Sequence, residues 1–76
     1  MSSFVHKLKE MKEGTLIYHH LHGIVKFVKF DYGYTIVDKQ VPIYKTEEPL
    51  AWGWERIAVI SQLLVKYDKK IHGELN

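Results

Sequence analysis

The sequence predicts an α+β domain: a short N-terminal helix, a three- to four-stranded antiparallel β-meander, and a long C-terminal helix packed on the sheet. Three observations predict it. Apolar residues recur at helical spacing near both ends of the chain, residues 15–45 are rich in β-branched and aromatic side chains, and turn residues divide that middle stretch at short intervals. Seventy-six residues hold one domain, single and small. A chain of this size buries only about 60% of the surface it exposes when unfolded, so its core is thin. Such domains often add disulfides, a metal or a second subunit. With no cysteine in the chain, disulfides, thiolate catalysis and cysteine zinc sites are excluded. Self-association is the support that remains.

At the N-terminus, Ser2 or Ser3 can cap a helix through a side-chain oxygen that accepts an orphan amide hydrogen. Phe4, Leu8 and Met11 follow at helical spacing and Gly14 is a natural stop. Strands are then expected near Thr15–Leu21, Ile24–Phe30, Tyr34–Val37 and Val41–Tyr44. The breaks fall at His22-Gly23, at Asp31-Tyr32-Gly33 and at Asp38-Lys39-Gln40. The second strand reads Val25-Lys26-Phe27-Val28-Lys29-Phe30, which breaks strict alternation; either a bulge re-phases it or both of its faces are covered. Thr46-Glu47-Glu48-Pro49 is a polar break. The main helix is expected from about Trp54 to Ile71, with Glu55 early, Lys69 and Lys70 late, and Gly73 just beyond, an order that complements the helix dipole. Trp54, Ile57, Ile60, Leu64, Tyr67 and Ile71 would form its apolar stripe. A competing reading places a fifth strand at Arg56–Ile60, on the β-branched Ile57, Val59 and Ile60.

Residues Glu13–Val37, EGTLIYHHLHGIVKFVKFDYGYTIV, resemble the opening of an SH3-like small β-barrel of the KOW or CarD type. A glycine precedes a hydrophobic strand, a polar turn ends in Gly23, and two further strands follow. The resemblance covers about a third of the chain. It implies a domain that binds proteins or nucleic acid and is not an enzyme.

Composition narrows the function classes. Eleven Lys+Arg against nine Asp+Glu give a net charge of only +2, and Arg56 is the one arginine. Arginine is the favoured residue for bidentate phosphate and base-edge contacts, so its scarcity counts against sequence-specific DNA recognition. Lysines 7, 9 and 12 with Glu10 and Glu13 interrupt the N-terminal segment, so it lacks a signal peptide's apolar stretch. No apolar run approaches the roughly 20 residues of a membrane span. A soluble, cytoplasmic protein with no membrane association is expected.

Several side chains are candidates for chemistry. On a strand, His20 and His22 would share one face with His19 on the other, but a metal needs a third ligand, and Asp31 is the nearest carboxylate to offer one. No metal site and no cofactor are therefore expected. The three serines lie at the N-terminus and at Ser61, outside any nucleophile motif. A histidine–lysine–tyrosine site from His20, Lys26 and Tyr34 is the remaining enzymatic option, and the expectation is no enzyme and no small-molecule substrate. Lys26, Lys29 and Lys45 with Tyr32 and Tyr34 would form a stacking and phosphate-binding sheet face for nucleic acid. In the Trp52-Gly53-Trp54 triplet, Trp54 is expected inside and Trp52 at a surface. On the expected helix, Val59 and Leu63 fall opposite the apolar stripe, among Glu55, Lys66 and Lys70. An interface through Val59, Leu63, Trp52 and Lys66 follows. The expected function is a protein–protein interaction module, as a homodimer or as a modulator or inhibitor of a larger protein; nucleic-acid binding is the alternative.

Overall fold

Turn chemistry sets the framework of the computed structural model, which describes residues 4–75. Strands β1 (Leu16–His19), β2 (Gly23–Asp31), β3 (Tyr34–Lys45) and β4 (Glu48–Ile60) form an antiparallel meander. Tyr32 and Gly33 join β2 to β3 with φ of 46° and 86°. Two positive φ values give the turn the twist that antiparallel strands need, and glycine adopts one without strain. A short β5 (Leu64–Lys66) returns to pair with β1, so the five-stranded sheet runs β4-β3-β2-β1-β5.

That order has a geometric consequence. Strands β4 and β5 are the two outer strands, yet only the 3-10 turn Ser61–Leu63 separates them in sequence. Laid flat, four strand spacings would hold them about 19 Å apart. A 3-10 turn advances only about 2 Å per residue. The sheet must curl until its edges approach. The crossover is pinned on both sides: the Ser61 N–H donates to the Gly33 carbonyl at 3.2 Å, and the His20 N–H donates to the Leu63 carbonyl at 3.4 Å.

The inside of the curl is the core. Leu8, Ile17, Val25, Phe27, Val37, Val59 and Leu64 are buried there, drawn from the N-terminal helix α1 (Phe4–Leu8) and every strand. Phe4, Met11, Phe30 and Ile57 pack around them. The register shift in β2 between Phe27 and Lys29 is the bulge that the sequence offered as one reading. Phe27 stands opposite buried Val37, and after the extra residue Phe30 stands opposite buried Thr35. Both phenylalanines thus face the core, and Lys26 and Lys29 both face out.

Two expectations are corrected. Among the described residues there is no long C-terminal helix packed on the sheet, so the chain is not the expected α+β fold: residues 48–60 are strand, and the only α-helix described after them is α2 (Lys69–His72). The competing strand reading over Arg56–Ile60 matches β4. Asp38-Lys39-Gln40 is no break either, because β3 runs through it. Its polar side chains meet partners across the ladder: Asp38 stands opposite Arg56, Lys39 opposite Glu55 and Gln40 opposite Trp54. The proposed caps Ser2 and Ser3 lie outside the described residues.

One buried polar contact ties the crossover to the sheet. The Thr35 and Ser61 hydroxyls are 2.6 Å apart, both residues almost fully buried. Removing either leaves the other hydroxyl without a partner in the core, at a cost of about 1–3 kcal/mol. Urea unfolding should show this loss for Ser61→Ala and for Thr35→Val. The double variant should lose less than the sum, by roughly 0.5–3 kcal/mol of coupling. Additive losses would show that the pair contributes nothing jointly.

Candidate interaction surface

The β2–β3 ladder ends at Val25–Lys39, whereas the β3–β4 ladder continues to Lys45–Glu48. The outer halves of β3 and β4 therefore extend beyond the rest of the curled sheet as a two-stranded ribbon, residues 40–54, and the molecule measures 46 × 28 × 19 Å. The ribbon has no core beneath it. Ile43 is 49% exposed, Tyr44 56%, Leu50 68% and Trp52 48%. Gly53 has a local reason: a Cβ there would lie 2.9 Å from Ile43 Cδ1, so Ile43 crosses the strand at the one residue lacking a side chain. Pro49 sits where β4 begins, beside the register shift that leaves Leu50 unpaired, one of the few places a strand tolerates proline.

The tip is the turn Thr46–Glu47, with Thr46 at a φ of 64°. A β-branched residue in left-handed backbone is strained, and such strain gathers where a loop has work to do. The base is braced on the outer face. Arg56 Nε donates to Asp38 Oδ1 at 2.9 Å and Nη2 to Oδ2 at 3.3 Å. These bonds hold the Asp38 carboxyl below its ordinary range and raise the guanidinium. Lys26 Nζ lies 4.3 Å from the Trp54 ring centroid, a cation–π contact. Trp52 and Trp54, two residues apart, share that outer face.

Beside Trp52, the C-terminal segment lies across the sheet. His72 stacks on Tyr18 with centroids 4.0 Å apart and 12° between the rings. Its Nδ1 accepts the Asp68 N–H at 3.0 Å, and Asp68 caps α2 by accepting the Lys70 N–H at 2.9 Å. A shallow cleft remains between His72, Glu74 and Leu75 on one side and Ile24, Gln40 and Trp52 on the other.

The histidines of the first hairpin hold a turn together. The strand ends at His19, which faces the core and is buried, while His20 and His22 lie in the turn. His19 Nδ1 accepts the Leu21 N–H at 3.0 Å and the His22 N–H at 3.3 Å. Its ring stacks on His22 at 4.8 Å. The expected pairing of His20 with His22 on one strand face is replaced by this turn. Asp31 lies at the other end of β2. Among the described residues no three His, Cys, Asp or Glu side chains converge as metal ligands. His20 lies in the β1–β2 turn, Lys26 within β2 and Tyr34 at the start of β3, so the three come from separate places on the sheet.

The expected interface is split. Val59 is core, 5% exposed and opposite buried Thr35, because β4 turns inward the residue a helix would have turned outward. Leu63 is exposed in the crossover, Lys66 at the end of β5 and Trp52 on the ribbon. Trp54 is 39% exposed rather than inside. The nucleic-acid candidates do not converge either. Tyr32 and Tyr34 are exposed at the β2–β3 turn, whereas Lys45 is at the far end of β3, about 36 Å away. Lys26 and Lys29 lie between them on the outer face. Ile43, Tyr44 and Leu50 were not singled out by sequence; their signal is large apolar side chains on both sides of a polar turn. No family model, curated protein or solved structure matches the chain, and among the described residues no helix is long and apolar enough to cross a membrane.

Burial, then repulsion from His22 and His20, lowers the His19 pKa from 6.5. The unfolded chain then binds this proton more readily, so the stability His19 contributes is complete above the unfolded pKa and is lost as pH falls below it. Melting temperature should drop between about pH 7.5 and about pH 5.5. His19→Asn, which keeps an acceptor oxygen near the Nδ1 position, should flatten that dependence, and His20→Asn should not. Equal slopes in all three proteins would place the acid-sensitive group elsewhere.

Proposed function

We propose that the chain is a non-enzymatic protein-interaction module built on an SH3-like small barrel, with the β3–β4 ribbon as its contact element. The exposed apolar ribbon carries this reading. Ile43, Tyr44, Leu50 and Trp52 stand in water on a structure that no core requires. Large apolar side chains exposed on both faces of the ribbon favour an interaction site, and aromatic side chains dominate binding hot spots. The barrel is supported by a meander whose outer strands are joined by a three-residue crossover. The cysteine-free composition favours a reducing, cytoplasmic setting.

Charge favours a protein over nucleic acid as the partner. Residues 40–54 carry Lys45 against Glu47 and Glu48, a net charge of −1. Phosphate backbones are bound by clustered cations. Lys26 is engaged with the Trp54 ring, and Lys45 stands beside two carboxylates.

A photo-crosslinking residue at Leu50, introduced in the native cell, should give discrete protein adducts, and the same probe at Lys70 should give none. Trp52→Ser should weaken the captured association by about 30-fold, the roughly 2 kcal/mol of a hot-spot residue. The fold should be unaffected, because exposed substitutions usually alter stability by no more than about 0.5 kcal/mol. Absence of adducts at Leu50, or salt-sensitive binding of single-stranded nucleic acid that survives Trp52→Ser, would overturn the reading.

A further inference from the structure

The ribbon is one half of a complementary pair of surfaces, and the same chain carries the other half. Between the N-terminal segment and β2 lies an open groove of about 320 Å³. Met11, Val28 and Phe30 are half-exposed on its walls and Phe27 is buried beneath. Lys9 and Lys29 line the same groove, both exposed, and no carboxylate lines it. The ribbon tip has the opposite character. Tyr44 and Leu50 are exposed apolar side chains, and Glu47 and Glu48 stand between them in sequence. An apolar tip with two carboxylates matches an apolar groove with two ammonium groups in both respects.

The two surfaces cannot meet within one chain. The groove runs along Phe27–Phe30, opposite Val37 and Thr35, and the tip begins at Tyr44, seven to nine residues further along β3 or about 23–30 Å. Two copies laid antiparallel bring each tip to the other's groove. The two contacts are then related by a two-fold axis, and the assembly closes as a dimer. We infer that the partner of the ribbon is a second copy of this chain, with Tyr44, Glu47, Glu48 and Leu50 of each copy seated in the groove bounded by Lys9, Met11, Lys29 and Phe30 of the other. This rests on the ribbon being a protein-contact element and adds what it contacts. The exposed surface of one chain is 5648 Å². A stable dimer covers about 800 Å² per partner, roughly a seventh of that, a fraction that two reciprocal contacts can share.

Reversing charge on each side separately and then together tests the pairing. At about 100 μM, well above a micromolar Kd, sedimentation of the full chain should give twice the chain mass. Glu47→Lys with Glu48→Lys should weaken the dimer at least tenfold, and Lys9→Glu with Lys29→Glu should do the same. Both variants should keep the β-sheet circular dichroism of the parent. Mixed in equal amounts, they should form a heterodimer, since the reversed tip then meets the reversed groove and the native tip the native groove. A photo-crosslinker at Leu50 of the unaltered chain should join to a peptide containing Met11 or Phe30, a readout that stands if a charge variant fails to fold. A native chain that sediments as a monomer would overturn the pairing, and so would a dimer surviving both reversals or a mixture that fails to re-form it. If the chain is monomeric while Leu50 still captures a different protein in the cell, the ribbon remains a contact element and only the second copy is wrong. With neither a dimer nor adducts, both readings fall.

Discussion

A three-residue crossover carries the chain from one outer strand of the sheet to the other, and most of the architecture follows from its shortness. Because Ser61–Leu63 cannot bridge a flat sheet, the strands must twist and curl, and the concave side becomes the only volume able to hold a core. The right-handed twist that strands adopt anyway makes this curl inexpensive. Residues at the crossover then become unusually consequential. Ser61 is a polar residue in the least exposed part of the molecule, tolerated because Thr35 supplies a hydroxyl at 2.6 Å. Leu64, immediately after, is buried in the core. A longer loop here would release the constraint and let the edges separate.

The same constraint divides the molecule into a supported half and an unsupported one. Strands β3 and β4 run further than β2 and β1 beside them, so their outer halves have only each other. An isolated two-stranded hairpin is marginal in water. The base of the ribbon is accordingly braced by the Asp38–Arg56 pair and by Lys26 over Trp54, and its middle by Ile43 lying over Gly53. The tip has a strained Thr46 and no packing support. Local opening should be cheapest there and dearest around Val25, Val37 and Val59, a gradient that follows burial. A contact element able to adapt its tip while its base stays fixed suits recognition.

The meander, the short N-terminal helix and the re-phasing of β2 were legible because each leaves a local signal: turn residues at close intervals, helical spacing from Phe4 to Met11, and a broken alternation that a bulge repairs. Strand β4 was misread for a physical reason. Its inward row is Gly53, Glu55, Ile57 and Val59, and only the last two lie over the core, so the two-residue period is erased along the ribbon half. Ile57 and Leu64 do pack inward, but from a strand on one side of the crossover and a different strand on the other, and their spacing imitates a helix. Of the site, only Trp52 was recognisable, because tryptophan is costly to expose wherever it occurs. Ile43, Tyr44 and Leu50 are ordinary strand residues, and their exposure depends on how far β3 outruns β2, which no local pattern encodes.

An exposed apolar ribbon invites uncontrolled pairing, and the chain limits this at the strand edge rather than on the ribbon face. Strand β4 is an outer strand thirteen residues long, and a free edge of that length is a template for another copy. Antiparallel pairing of two β4 edges about a two-fold axis normal to the sheet keeps like faces together, so opposed residues must be an even number apart. Registers centred on Glu55 or Arg56 set like charges directly opposite, which is destabilising, and the register that engages the whole strand is centred on Trp54 and places Pro49 opposite Val59. Sliding toward the tip meets Pro49, which has no N–H to donate, and the irregularity at Leu50. Edge pairing is thus opposed by charge in the middle and by backbone chemistry at the tip. The ribbon's apolar side chains remain free, and they project from its faces rather than along its edge. A contact made through those side chains ends when they are covered, whereas one made through backbone edges leaves a new edge for the next chain. The division of roles within β4 favours discrete complexes over fibres.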